Sequence, residues 1–186
     1  MTGHRRGRLI GIVGPSGVGK DSVMEGLVEA VPGLSLVKRT ITRAPGLGGE
    51  DYEAVLEQEF DMRAAAGEFC LHWEAHGLFY GIPNTVRTRV ARGDELLVNL
   101  SRAILPKAQE VFPDLLTFNI TATPETLAKR LAGRGRENEA EIVKRLERAK
   151  KPLPAGAEVI NLSNDGPIEE TIDAALAVLY PKKVPL

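Results

Sequence analysis

A single cysteine, Cys70, stands among the 186 residues. One thiol closes no internal disulfide framework, and a chain so poor in cysteine suits a reducing, cytoplasmic setting. No apolar run approaches the roughly 20 residues that a membrane-spanning helix needs, so the sequence offers no reason to expect a membrane. A dominant charge is missing too. The 24 Lys and Arg against 25 Asp and Glu leave a formal net charge of −1, which argues for neither nucleic acid nor an anionic surface as partner. Aromatic residues make up only 5%, and most lie between residues 40 and 90 with two of the three histidines. Internal repeats, low-complexity tracts and linkers are also lacking. The length therefore reads as one domain with enough chain to bury a core. The basic start MTGHRRGRLIGIVG has too short an apolar stretch for a signal peptide, and reads as an arm followed by a strand.

What is present alternates. Strand-like runs fall at 8–13, 34–41, 95–100, 115–120 and 157–162; ELLVNL at 95–100 is apolar enough for burial on both faces. Helical spacing appears at 20–31, 57–67, 103–112, 124–132, 138–150 and 167–179, with Pro32-Gly33 and Gly67 as stops. This alternation predicts right-handed βαβ units and a parallel sheet. The stretch from about 40 to 90 departs from it, being turn-rich, and reads as an insert on the α/β frame.

GPSGVGKDS at 14–22 has the pattern Gly, four residues, Gly-Lys between a strand and a helix. Gly14, Pro15, Ser16, Gly17, Val18 and Gly19 predict a loop whose N–H groups, with the helix's positive end, cradle the phosphates of ATP. Lys20 reaches the β- and γ-phosphates. The next residue is usually Ser or Thr, whose hydroxyl takes Mg²⁺. Here Asp21 stands there and Ser22 comes one residue late. Two readings are open: Asp21 takes Mg²⁺ directly or through water, or Asp21 is ordinary first-turn helix chemistry and Ser22 supplies the hydroxyl.

KRLAGRGRENEAEIVKRLERAKK at 129–151 is the other dense segment. Arg130 and Arg134 are one helical turn apart, and Arg145 follows on a second helical stretch. A basic hairpin of this kind can fold over ATP, exclude water and neutralise charge on a transferring phosphoryl group. The plainer alternative is a solvated face with Glu139, Glu141 and Glu147 as partners.

With GPSGVGK, TITR, EFDM, GEF, YG, RLAGRGRE, KRL and SND in that order, the chain resembles the guanylate-kinase group of P-loop kinases over roughly 9–180. The resemblance implies a P-loop NTPase fold of the α/β class, with a parallel five-stranded core sheet and helices on both faces. It divides the single domain into a core (about 8–39, 92–129 and 146–180), an acceptor-binding insert (about 40–91) and an arginine lid (about 130–145). It implies catalytic roles for Lys20, Arg130, Arg134 and Arg145, an acceptor-phosphate contact for Arg43, and an approach of Asn164 and Asp165 to the ATP base.

The departures from that group are systematic. A Glu that reads guanine falls at Leu71, the Ser or Thr that assists it at Ile82, and two acidic residues at Asn99 and Ser101. The second phosphate arginine falls near Gly46 in a reshaped loop. Aliphatic side chains offer a purine neither donor nor acceptor. These departures fit a related family, the ribose 1,5-bisphosphate phosphokinases, whose signatures appear here as GKDS, ITRAPGLGGE, EQEF, GLFYG, VNLSRAILP and RGREN. That resemblance implies transfer of the γ-phosphoryl of ATP, with Mg²⁺, to the 1-phosphate of ribose 1,5-bisphosphate, giving 5-phosphoribosyl 1-diphosphate (PRPP) and ADP in phosphonate catabolism.

A phosphate monoester is already a nucleophile near neutral pH, so positioning and charge neutralisation carry such a reaction. Arg43, Arg102, Tyr80, Asn99 and Ser101 are the expected contacts to the phosphorylated sugar. Lys38, Arg39, Arg87 and Arg89 are looser candidates for further phosphate contacts, and read more simply as surface cations. Three other functions compete: a guanylate-type nucleoside monophosphate kinase, a sugar-hydroxyl kinase for which no carboxylate base is evident, and a non-catalytic protein-binding scaffold, which the intact Lys20 and arginines oppose. His72 and His76, four apart, suggest a zinc pair, but a zinc site needs about three protein ligands. They read as ordinary histidines of the insert, and Trp73 as packing.

Overall fold

The computed structural model describes residues 7–46, 49–133 and 138–181. Strand β1 (Arg8–Val13) runs into the Gly-rich loop and helix α1 (Lys20–Ala30). The core sheet is completed by β2 (Leu34–Leu36), β7 (Glu95–Asn99), β8 (Leu116–Thr121) and β9 (Ile160–Ser163), in the order β2-β7-β1-β8-β9. Every pairing in it is parallel. Successive side chains point to opposite faces of a strand, so the apolar run of β1 serves two cores. Ile10 and Ile12 join Leu27 of α1, Phe118 and Ile120 of β8, and Ala175 and Leu179 of helix α7 (Ile168–Leu179). Leu9 and Val13 join Leu96 and Val98 on the other face, with Val86 of helix α3 (Thr85–Ala91) and Leu105 and Ala108 of helix α4 (Leu105–Val111). A five-stranded parallel sheet with helices on both faces is what the resemblance implied.

Residues 34–41 do not form one strand. The chain leaves β2 at Leu36, Val37 N–H donates to Leu97 O at 2.8 Å, and β3 (Arg39–Ile41) begins in a second sheet. The turn-rich stretch after it is likewise more ordered than its composition suggests. It holds β4 (Tyr52–Ala54), helix α2 (Glu57–Ala65), β5 (Phe69–Ala75) and β6 (Leu78–Pro83), and the second sheet has the order β4-β3-β6-β5. Strands of three residues give little periodicity to read. The β5–β6 hairpin turns on His76 (φ 56°) and Gly77 (φ 71°), the left-handed pair that a two-residue turn between twisted strands requires.

Two helices follow β8: α5 (Pro124–Gly133) and α6 (Glu139–Ala149). Asn138 caps α6 reciprocally, its Oδ1 accepting from Glu141 N–H at 2.9 Å while Glu141 Oε2 accepts from Asn138 N–H at 2.9 Å. The last strand begins at Ile160, three residues later than the apolar pattern suggests.

Candidate active site

The loop at 14–19 is shaped by close approach. A Cβ at Gly14 (φ 151°) would lie 2.5 Å from Ile120 O, and one at Gly19 (φ 97°) 2.7 Å from Asn164 Nδ2. Val18 anchors the loop in the core at 0% exposure. Its carbonyl accepts from Asn164 Nδ2 at 2.8 Å and from Arg130 Nη1 at 3.2 Å. Lys20, the first residue of α1, folds back and donates from Nζ to Gly14 O at 2.9 Å and Pro15 O at 3.1 Å. Burial pulls its ammonium down to a pKa of about 8; Arg39 and Arg102 push the same way, and Asp21 and Glu50 oppose.

The Asp21 carboxylate points toward the connection between β3 and β4, with Oδ2 3.7 Å from where a Cβ on Gly49 would lie. It makes no hydrogen bond or ion pair among the described residues, whereas Ser22 is exposed on the outer side of the helix start. A lone inward carboxylate beside a phosphate loop fits a divalent cation held mainly by substrate phosphates and water. Of the two residues considered for Mg²⁺, Asp21 has the placement.

Arg130 Nη2 also donates to Asn164 O at 2.7 Å, tying α5 to the loop after β9. Arg145 of α6 reaches the loop tip, Nη1 donating to Ser16 Oγ at 2.5 Å. Arg134 lies outside the described residues. Asn164 is 3% exposed and clamps the loop from below, its Oδ1 accepting from Thr171 Oγ1 at 2.9 Å. Asp165 is exposed; a bond from Thr123 N–H at 2.8 Å, with hydroxyls around it, holds its carboxyl down at about 2.

Across the cleft stands a cluster only partly foreseen. Arg39 is 5% exposed, so the surface reading fails for it, while Lys38, Arg87 and Arg89 do lie at or near the surface. Its Nε donates to Glu50 Oε2 at 2.8 Å, Nη2 to Glu50 Oε1, and Nη1 to Asn99 O at 3.0 Å. The guanidinium lies 5.0 Å from the Tyr80 ring and 6.0 Å from the Trp73 ring. Those two rings stack across the β5–β6 pair at 5.4 Å and 10°. Trp73 packs, as its sequence reading expects, whereas Glu50 is the residue that reading missed; the GGED run after TITR was the available signal for it.

Leu71 and Ile82 pair directly across β5 and β6, at 2% and 0% exposure, packed with Val86, Leu96 and Val98. This face of the second sheet is aliphatic and packs into the core. Arg43 lies with its guanidinium 5.4 Å from the Tyr52 ring. Ser101 starts the short 3₁₀ turn Arg102–Ile104 at the end of β7. Arg102, expected to contact the sugar, is held by main-chain carbonyls. It donates to Arg148 O at 2.8 Å, Ala149 O at 3.2 Å and Lys151 O at 2.7 Å, closing the C-terminal end of α6. His72 packs at 6.4 Å from both Phe60 and Phe69, and His76 sits in the hairpin turn.

A Gly-rich loop between β1 and α1 of a parallel sheet, with basic helices reaching the loop and a second sheet facing it, defines a P-loop kinase. The chain belongs to the guanylate kinase family, whose model matches residues 6–176, and within it to the ribose 1,5-bisphosphate phosphokinases. It is 49% identical to ribose 1,5-bisphosphate phosphokinase PhnN of Ruegeria sp. (strain TM1040), over 98% of this chain and 96% of that protein. It is 48% identical to the protein of the same name from Pantoea vagans (strain C9-1), over 89% and 93%. Among solved structures, guanylate kinase from Anaplasma phagocytophilum superposes with a TM-score of 0.67 at 22% identity, covering 97% of this chain and 88% of that one, a likeness of fold. No helix among the described residues is long and apolar enough to cross a membrane.

Proposed function

We propose that this chain transfers the γ-phosphoryl group of ATP to the 1-phosphate of ribose 1,5-bisphosphate, forming 5-phosphoribosyl 1-diphosphate and ADP. The observation that carries the reading beyond the family is the aliphatic pair at the two positions expected to read a base. Leu71 and Ile82 give a purine edge nothing to bond, and the cation Arg39 stands beside them.

Backbone N–H groups of residues 14–19 bind the ATP phosphates, and Lys20 exchanges its two loop carbonyls for phosphate oxygens. The phosphate environment restores the full charge that burial depresses. Arg130 and Arg145, already against the loop, neutralise charge as the phosphoryl group moves, and Arg134 belongs with them by its place in the sequence. Asp21 would hold Mg²⁺, which supplies charge neutralisation across the β- and γ-phosphates when bound. Arg43, Tyr80 and the C-terminal end of β7 at Asn99 and Ser101 orient the acceptor so that a 1-phosphate oxygen lies in line with the γ-phosphorus. The acceptor is already ionised, so no base is needed and orientation sets the rate.

The experiment is ADP release from Mg·ATP with ribose 1,5-bisphosphate and GMP in parallel, with Lys20→Ala as control. Turnover with the bisphosphate, lowered by about 100-fold or more in the control, is the expected result. Turnover with GMP alone would overturn the acceptor and leave the kinase.

A further inference from the structure

The least explained group in the cleft is Arg39. A guanidinium at 5% exposure is fixed three ways: by both oxygens of Glu50, by the main-chain carbonyl of Asn99, and by the faces of Tyr80 and Trp73. Those bonds use three of its five N–H groups. An ion pair that only fastened the second sheet to the core would not need this orientation, nor a place at the C-terminal edge of β7, where open parallel sheets collect ligands. Asn99 is in register with Ile12 of β1, the strand that runs into the phosphate loop, so the residue whose carbonyl Arg39 holds lies about one strand spacing, roughly 5 Å, from the line of β1. Arg39 and Arg102 are both close enough to repel the Lys20 ammonium, and Asp21 and Glu50 to attract it. Three cations against two carboxylates leave the floor of the cleft short of negative charge.

We infer that Arg39 is an acceptor-phosphate anchor: Glu50 and the Asn99 carbonyl hold its fork so that the remaining N–H edge binds one phosphate of a sugar bisphosphate. Glu50 is the positioning residue, setting the plane of the guanidinium over Tyr80. The same cation gives a site whose base-reading positions are aliphatic at Leu71 and Ile82 a way to hold a polar substrate. It binds anionic charge in place of a base. The inference rests on the phosphokinase reading for the identity of the acceptor, and on geometry alone for the anion.

The test uses the full chain with saturating Mg·ATP, comparing wild type, Arg39→Gln, Arg39→Lys, and the double variant Arg39→Gln/Glu50→Gln. The double variant leaves no buried carboxylate without a partner and keeps the test open should the single variant fail to fold. The expected result is a rise of about 10- to 100-fold in KM for ribose 1,5-bisphosphate in Arg39→Gln and in the double variant, with KM for ATP within about twofold of wild type. Arg39→Lys recovers little, because an ammonium cannot hold Glu50 in a bidentate grip and bind phosphate in the same plane. An unchanged acceptor KM in a folded double variant would reduce Arg39 to a structural pair. An equal rise in both KM values would also overturn the proposal, as it marks collapse of the whole cleft. Should wild type phosphorylate GMP and not the bisphosphate, the substrate reading fails separately; the same variants assayed with GMP then decide whether Arg39 binds the acceptor phosphate.

Discussion

The two banks of the cleft are made of different material. The phosphate-loop bank is mostly main chain: Gly14, Gly17 and Gly19 take positive φ, and the nearby side chains Asn164, Arg130 and Lys20 all bond loop carbonyls. The facing bank is side chain laid on a second sheet, with Arg39, Glu50, Trp73 and Tyr80 beside the apolar pair Leu71 and Ile82. A site made of backbone must be written contiguously, since the path of a loop is set by neighbouring residues. A site made of side chains can be gathered from positions 39, 50, 73 and 80, and it leaves no run of letters behind.

The sharpest way to break that comparison is Leu71→Glu. If one residue on the facing bank decided the acceptor, a carboxylate there would create guanine readout in a stable protein. The structure leads to the opposite expectation. A charge placed at a 2% exposed position among Ile82, Val86 and Leu96 lacks a partner and costs about 3 kcal/mol or more, read as a lower urea midpoint without GMP turnover.

Asn164→Ala probes the other bank. It removes one of two donors to Val18 O and one of two acceptors of Thr171 Oγ1, for an expected loss of about 1–3 kcal/mol in thermal or urea unfolding. Because the damage falls on the loop, KM for ATP should rise while KM for the acceptor holds. A shift in the acceptor KM instead would mean that the two banks are not separable.

The smallest effect is a fraction of a proton. With Lys20 at a pKa of about 8, the free protein carries this ammonium only part of the time at pH 8. A polyphosphate favours the charged form and raises the pKa, so binding takes up protons. The uptake is largest between pH 8 and the ordinary lysine value of 10.5, and vanishes below about pH 7, where Lys20 is charged in both states. Titration calorimetry of Mg·ATP in buffers of different ionisation enthalpy should give up to about half a proton at pH 8, and none in Lys20→Ala. Equal proton counts for the two proteins would show that Lys20 stays on its carbonyls.

The same division explains what could be read from the letters. GPSGVGK and the alternation of apolar runs give the phosphate loop and the order of the parallel sheet and most of its helices, because local spacing determines them, although β2 is shorter than its apolar run and α3 leaves no clear pattern. The facing bank is less legible. Arg39 sits in KRTITR among residues that look like any basic surface, and only the arrival of Glu50 and of Asn99 O buries it. The run 34–41 looks like one strand because nothing in it records that Val37 bonds to the core sheet while Thr40 pairs with Gly81 of the other. Arg102 is plausible as a phosphate ligand by position, yet it meets the end of α6, an encounter between residues more than 40 apart in the chain. Substitution against a pattern did carry information at Leu71 and Ile82, since losing polar atoms at two facing positions is a statement about what cannot bind.

The second sheet has a property that bears on descent. All four of its strands come from one uninterrupted stretch, Arg39–Ile41 to Leu78–Pro83, which the chain enters directly from β2 and leaves through α3 into β7. The second sheet is thus a cassette in the gene as well as in the molecule, with only the end of β7 contributed from outside it. Recombination across two points could exchange it while the phosphate loop was inherited intact.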